Sequence, residues 1–198
     1  MKYQAGMCFI CFIMSHGLEG EFESSDRCKI KPAELQKPIM RSESLKKKPK
    51  IFFIQACRGN SSMLSTNQPQ TGNASAIGTD DIFDTDDGNP LAKLSVTDEA
   101  DIFNGYSTVE GYKAYRNEDG SIFIQELCEV IRNDPRKEIN NIFTEVNKNM
   151  SDKCITLSED SENTPIGALA EYKSRLLKQF YFKVHMLISK LCVCHVRG

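Results

Sequence analysis

The sequence has no surplus of positive charge, since 25 Lys and Arg stand against 27 Asp and Glu, a formal net charge of -2. That leaves no overall basic field of the kind that draws a protein to nucleic acid. No stretch approaches the roughly 18 apolar residues that a helical membrane span requires. Eight cysteines in 198 residues, unevenly spaced, are too sparse for a disulfide-scaffolded secreted module. They fit reduced core thiols with one reactive member, so a reducing, cytoplasmic setting is expected. Internal repeats are also absent. What remains, 40% apolar and 26% charged residues, is the ordinary mix of a soluble globular domain.

An apolar run, Met7–Met14, stands almost at the first residue. With Met1-Lys2 before it, the run has the outline of a short secretory leader. It ends, however, in Ser15-His16-Gly17 with no small-x-small cleavage site beyond, and its Phe, Ile and Cys suit a strand buried on both faces. A second such run, Ile51-Phe52-Phe53-Ile54, follows the basic stretch Lys46–Lys50 and ends at Gln55-Ala56-Cys57-Arg58-Gly59. Between them Pro32 to Leu45 reads as a short helix starting at its proline. Strand, helix, strand predicts an α/β unit with a parallel sheet. The basic stretch reads as a solvated strand entry, because nothing aromatic or glycine-rich accompanies it.

From Asn60 to Ala100 the composition turns to Ser, Thr, Asn, Gln and Gly, and Asp80, Asp81, Asp84, Asp86, Asp87, Asp98 and Glu99 face only Lys93. Segments of about 40 residues without structure of their own are uncommon inside domains and are usually functional. An exposed acidic stretch is also a preferred place for nicking. Ala100–Ser107 and Ser121–Ile124 carry strand patterns. Ile124, Leu127, Cys128 and Ile131, then Ile139, Ile142, Phe143 and Val146, recur at helical spacing on either side of Asp134-Pro135. Residues 151–165 read as a loop, and Ala168–Phe182 holds a last apolar segment.

Polar residues of unusual character stand just past both apolar runs. Sites in parallel α/β sheets are built beyond the carboxyl ends of strands, so His16-Gly17 and Cys57-Arg58-Gly59 can meet across a crevice. A thiolate is the nucleophile in such a pair, and an imidazole can act as base and then protonate a departing amine. The N–H groups of Gly17 and Cys57 are candidates for an oxyanion site. Cys8 and Cys11 share a CxxC spacing, but inside a strand they face opposite sides, which suits core packing. Cys192, Cys194 and His195 would need further partners to hold a metal. No metal or cofactor is expected.

Gln55-Ala56-Cys57-Arg58-Gly59 resembles the local signature of caspases, whose histidine lies upstream. Cys11–Gly20 resembles their histidine segment, Ala100–Tyr112 the start of their small subunit, and Arg116-Asn117 with Gly120–Cys128 its continuation. Ser174–Phe182 adds a weaker match. The resemblance implies a caspase-like three-layer sandwich, a mostly parallel sheet flanked by helices. It also implies an Asp-specific cysteine endopeptidase of apoptosis and proteolytic signalling, in which Cys57 attacks and His16 handles the proton. Gln55 and Arg116 would grip the substrate aspartate, with Tyr115 and Asn117 lining the substrate site. A guanidinium suits that task because it binds a carboxylate bidentately.

By the same resemblance, residues 1–59 correspond to a partial large subunit, 60–99 to the intersubunit linker and 100–182 to the small subunit, with 183–198 an unmatched tail. The zymogen would be processed after Asp84 or Asp87 and work as a homodimer or with another caspase-family chain. Partners would be protein substrates, not nucleic acid or membrane. Three departures are visible. The family's first strand-helix portion, with a second substrate-binding Arg, has no counterpart, so one sheet edge is expected to be bare. Tyr115 and Ile122 stand at the family's indole positions, and Ala114 at a serine position. The tail extends past Phe182. A catalytically impaired protein that binds and regulates an active caspase is therefore the alternative expectation.

Overall fold

The computed structural model describes residues 8–18, 20–63, 99–117, 119–153, 155–156, 165–182 and 193–194. Its spine is a five-stranded sheet. In chain order the strands are β1 (Phe9–Met14), β5 (Lys50–Gln55), β6 (Ile102–Tyr106), β11 (Glu171–Ser174) and β12 (Val193–Cys194), in spatial order β11-β6-β5-β1-β12. β12, β1, β5 and β6 run parallel, and β11 is antiparallel to β6. All six residues of β1 pair with β5, from Phe9 opposite Lys50 to Met14 opposite Gln55. This register aligns the ends of the two strands, so their following loops emerge side by side.

Both faces of the sheet are covered, which is why β1 and β5 read as continuous apolar runs and not as alternating ones. On one face Ile51, Phe53 and Phe103 pack against α2 (Ile122–Asn133) and α3 (Ile139–Asp152) through Phe123, Leu127, Ile142, Phe143 and Val146. On the other, Cys11, Ile13, Phe52, Ile54 and Ile102 meet Leu35, Ile39 and Met40 of α1 (Pro32–Met40). Three layers result, as expected. Cys8 sits with the first cluster and Cys11 with the second, so the CxxC pair is split between faces. Burial pushes the Cys8 thiol above its ordinary value.

Pro32 opens α1 as its first residue, where its missing N–H costs nothing. The basic run closes the next turn. Lys46 pairs with Glu43 at 2.7 Å, and the buried Lys50 donates to the carbonyls of Lys48 at 2.8 Å and Leu45 at 3.3 Å. Gly105 of β6 lies directly beneath the Phe143 ring, at a spot a Cβ would occupy. Phe143 is fully buried and its ring meets those of Phe53, Phe103, Phe123 and Tyr172. Removing it empties the joint between helices and sheet. Phe143→Ala should therefore lower stability by about 3–5 kcal/mol, read from the midpoint shift in chemical denaturation.

Three expectations need correction. Ser121–Ile124 is not a strand: β8 is only Gly120–Ser121, and Ile122-Phe123-Ile124 forms the first turn of α2. Ser121 accepts a hydrogen bond from the Ile124 N–H at 3.2 Å, an N-cap that commits the run to helix. The region 151–165 is not wholly loop, because β9 (Ile155–Thr156) pairs antiparallel with β10 (Pro165–Ile166). The sheet edge beside β1 is not bare either: β12 pairs with Phe12 and Ile13 there. Asp84 and Asp87 lie outside the described residues.

Candidate active site

At the carboxyl end of the sheet, β1 gives way to Ser15, whose N–H donates to the Gln55 carbonyl at 3.0 Å and continues the β1–β5 ladder. His16 follows. Its carbonyl accepts from the Glu23 N–H at 2.9 Å, and Gly17 pairs with Phe22 where β2 (Gly17–Leu18) meets β3 (Glu21–Glu23). β3 in turn pairs with β4 (Lys29–Ile30), so a three-stranded ribbon supports the histidine. The His16 side chain is exposed.

Gly17 fixes how closely this ribbon approaches the neighbouring loop. A Cβ there would fall 2.5 Å from the Cys57 carbonyl oxygen, 2.7 Å from that of Glu21 and 2.9 Å from the Ala56 Cβ. No side chain fits in that space, and the backbones of residues 17 and 57 meet directly. The structure therefore brings His16-Gly17 and Cys57 to adjacent strand ends.

The loop after β5 is stitched to the segment that precedes β7 (Arg116–Asn117). Arg58 donates its N–H to the Tyr112 carbonyl at 2.9 Å, and Gly111 returns one to Arg58 at 3.1 Å. Ser61 and Lys113 exchange a further pair with this segment, at 3.1 Å to Gly111 and 2.9 Å from Lys113 to Ser61. As a result the Cys57 sulfur lies against Ala114, accepting from its N–H at 3.4 Å and donating to its carbonyl at 3.7 Å. Cys57 is half-buried.

Gln55 and Arg116 are joined through one serine. Arg116 pairs with Ser121 across β7 and β8. The Ser121 hydroxyl donates to Gln55 Oε1 while accepting from Ile124 N–H. One hydroxyl thus caps α2 and holds Gln55. The Arg116 side chain is exposed, Asn117 pairs through its backbone with Gly120, and Tyr115 packs against the α2/α3 core with a buried hydroxyl that has no partner among the described residues.

Arg58 turns away from the crevice. Its buried guanidinium donates to the Thr108 carbonyl at 3.1 Å and to Glu110 at 3.0 Å, pairs with Glu171 of β11, and stacks 4.2 Å above the Tyr106 ring. Burying this cation is feasible only because both acids and the ring compensate it. The residue following Cys57 is in this way anchored to the far edge strand. Sequence reasoning missed Ser121, Glu110 and Glu171 as members of this neighbourhood. Ser121 carried a readable signal, a serine directly before an apolar helical run; the acids, far from Arg58 along the chain, carried none. Among the described residues no group of three or more His, Cys, Asp and Glu could hold a metal ion, and no helix is long and apolar enough to cross a membrane.

Comparison with known proteins gives a consistent result. The family profile of the caspase domain matches residues 1–181. Chicken (Gallus gallus) caspase-7 is 36% identical over 178 residues, covering 88% of this chain and 55% of that protein. Rabbit (Oryctolagus cuniculus) caspase-3 is 36% identical over 181 residues, covering 88% and 58%. The chain thus spans less than two thirds of the length of these relatives. In fold it resembles crystalline caspase-1 from Spodoptera frugiperda with a TM-score of 0.66 at 24% identity, over 87% of this chain and 61% of that one.

Proposed function

We propose that this chain, which belongs to the caspase family of cysteine peptidases, cuts polypeptides after aspartate, with Cys57 as nucleophile and His16 as acid and base. The observation that carries this reading is the convergence of four side-chain positions at one sheet end. The backbones of Gly17, next to His16, and Cys57 are in contact, and Gln55, two residues upstream of the cysteine, is bridged to Arg116 by Ser121.

In the proposed reaction the Cys57 thiol yields its proton to His16, and the sulfur attacks the carbonyl carbon of the substrate aspartate. The Gly17 and Cys57 N–H groups face the oxygen as it gains charge. The C–N bond then breaks, His16 returns the proton to the departing amine, and water releases the acyl group from sulfur. In the structure the thiol donates to the Ala114 carbonyl, so the reaction first requires that hydrogen bond to be exchanged for one to His16.

The aspartate preference follows from Gln55 and Arg116. Ser121 occupies Gln55 Oε1, which leaves the amide N–H₂ to donate to a carboxylate. Arg116 supplies a guanidinium that binds the same group through two hydrogen bonds. Tyr115 and Asn117 flank this pocket in sequence and complete the substrate-binding set. A purely regulatory partner of an active caspase would need none of these residues together, and no observation favours that second reading.

The domain reading extends the proposal. Residues 1–59 and 100–182 act as parts of a large and a small subunit, and 60–99 links them. The mature form is a cytoplasmic dimer, of two copies or with another caspase-family chain, that acts on protein substrates in apoptosis. The zymogen is processed in the linker, where Asp84 and Asp87 precede small or polar residues, Thr85 and Gly88. Incubating the purified chain should then give fragments that begin at Thr85 or Gly88 by N-terminal mass spectrometry, and Cys57→Ala protein should remain whole. Cleavage at the same rate in Cys57→Ala protein would refute self-processing.

A further inference from the structure

The three groups that compensate the buried Arg58 cation do not share the task equally. Glu171, whose side chain is 29% exposed, and the Tyr106 ring 4.2 Å below lie close against a guanidinium that is itself 7% exposed. Glu110, 3.0 Å from Nη2, is 67% exposed. An ion pair that open to water adds little to stability, because water screens it and fixing the long side chain costs entropy. What Glu110 does is better read from the piece of chain it holds.

Glu110 belongs to the turn 109–112, which the Tyr112 N–H closes onto the Val109 carbonyl at 3.2 Å and in which Gly111 has a φ of 89°. Arg58 fastens this turn with backbone and side chain together. Its N–H donates to the Tyr112 carbonyl at 2.9 Å, its carbonyl accepts from Gly111 at 3.1 Å, and its guanidinium reaches the Thr108 carbonyl at 3.1 Å as well as Glu110. Only the bond to Glu110 joins two charges, and bonds of that kind are the strong ones. Two residues beyond the turn, the Ala114 N–H donates to the Cys57 sulfur at 3.4 Å. How firmly the turn is held on Arg58 therefore sets where that N–H stands.

We infer that Glu110 is a positioning residue: acting through Arg58, it fixes residues 108–114 so that the Ala114 N–H stays on the sulfur of Cys57. As the thiol hydrogen leaves the Ala114 carbonyl for His16, negative charge gathers on the sulfur. An N–H already aimed at that atom stabilises the charge without reorganisation. Lys173 of β11, 3.6 Å from the same carboxylate oxygen, ties Glu110 to the sheet edge as well. Glu110 touches neither the sulfur nor Gln55 or Arg116, so its effect falls on the chemistry of the sulfur and not on binding. This role rests on Cys57 being the nucleophile of the proposed reaction.

Glu110→Gln keeps the length of the side chain and removes its charge. Its melting temperature should stay within about 2 °C of the parent value, since the lost pair is exposed. Alkylation of Cys57 by iodoacetamide, a small neutral reagent that needs no substrate pocket, should slow about three- to tenfold by peptide mass spectrometry. On an aspartate tetrapeptide kcat should fall by the same factor with KM unchanged. Glu145→Gln, which breaks the ion pair with Lys137, should alter none of these rates. Alkylation at the parent rate in Glu110→Gln protein would overturn the role, and so would a loss of turnover carried by KM or by a lowered melting temperature. A parent protein without turnover would sink the peptidase reading alone, because the alkylation rates still decide whether Glu110 acts on Cys57.

Discussion

Cys57→Ala should reduce cleavage of a fluorogenic tetrapeptide ending in aspartate by about 10⁴-fold or more, to the background of the assay, with little change in melting temperature. The size follows from the part the sulfur plays. In the proposed reaction it forms the bond to the carbonyl carbon, and removing a member of a nucleophile–base unit collapses the catalysis that the unit supplies together. The small effect on stability follows from the surroundings of Cys57. It is half-buried, and its sulfur touches backbone atoms of Ala114 at 3.4 and 3.7 Å. Alanine keeps the Cβ and forfeits only those weak sulfur hydrogen bonds. Turnover close to that of the parent protein would mean that the nucleophile lies elsewhere.

Arg116→Glu should invert the logic of the specificity pocket. On the proposed reading the parent guanidinium compensates the substrate carboxylate, and the variant sets a carboxylate against it. Lost charge-assisted bonds together with like-charge contact amount to several kcal/mol, so kcat/KM on an aspartate peptide should fall about 10²–10⁴-fold. The matching asparagine peptide should change far less, and the preference for aspartate over asparagine should vanish. Because Arg116 is exposed and pairs with Ser121 through its backbone, the fold should not suffer. A variant that still prefers aspartate would place the pocket elsewhere. Ser121→Ala offers a graded companion, since it frees Gln55 Oε1 and removes the α2 cap in one step.

The legible parts of this protein were those whose partners hardly matter. β1 and β5 announce themselves because a strand covered on both faces must be apolar at every position, and α2 and α3 because one face of each helix meets the sheet. The run Ile122-Phe123-Ile124 was misread for a physical reason. Three apolar residues fit the pleat of a strand as well as the first turn of a buried helix, and the arbiter is the hydroxyl of Ser121, a polar residue just outside the run. β12 was unreadable, because its pairing with Phe12 and Ile13 joins residues about as far apart as the chain permits. The same holds for Arg58, whose guanidinium reaches Glu171 on β11.

At the site, the sequence points to candidate residues by their signature and by their place after apolar strands. It did not find what positions them. Gly17 was read as a source of an N–H, and the structure adds a steric role: its missing Cβ is what lets the histidine ribbon touch the Cys57 backbone. Gln55 was read as a pocket residue, and its orientation comes from Ser121. Such supporting contacts depend on which loops are neighbours, which composition and periodicity do not encode.

The account stands on Cys57 being the nucleophile of an aspartate-directed peptidase, and a covalent trap reads that most directly. An aspartyl fluoromethyl ketone peptide alkylates the sulfur that attacks its carbonyl region. Among the described residues the exposed thiols are poor targets: the Asp26 hydrogen bond and charge hold Cys28 above its ordinary value, and desolvation of the sulfur does the same for Cys128. Mass spectrometry of the purified chain at neutral pH should show a single adduct on Cys57, formed much more slowly in His16→Ala protein and with no preference for the aspartyl over the asparaginyl probe in Arg116→Glu protein. An unmodified Cys57, or labelling of Cys28 and Cys128 at the same rate, would contradict it.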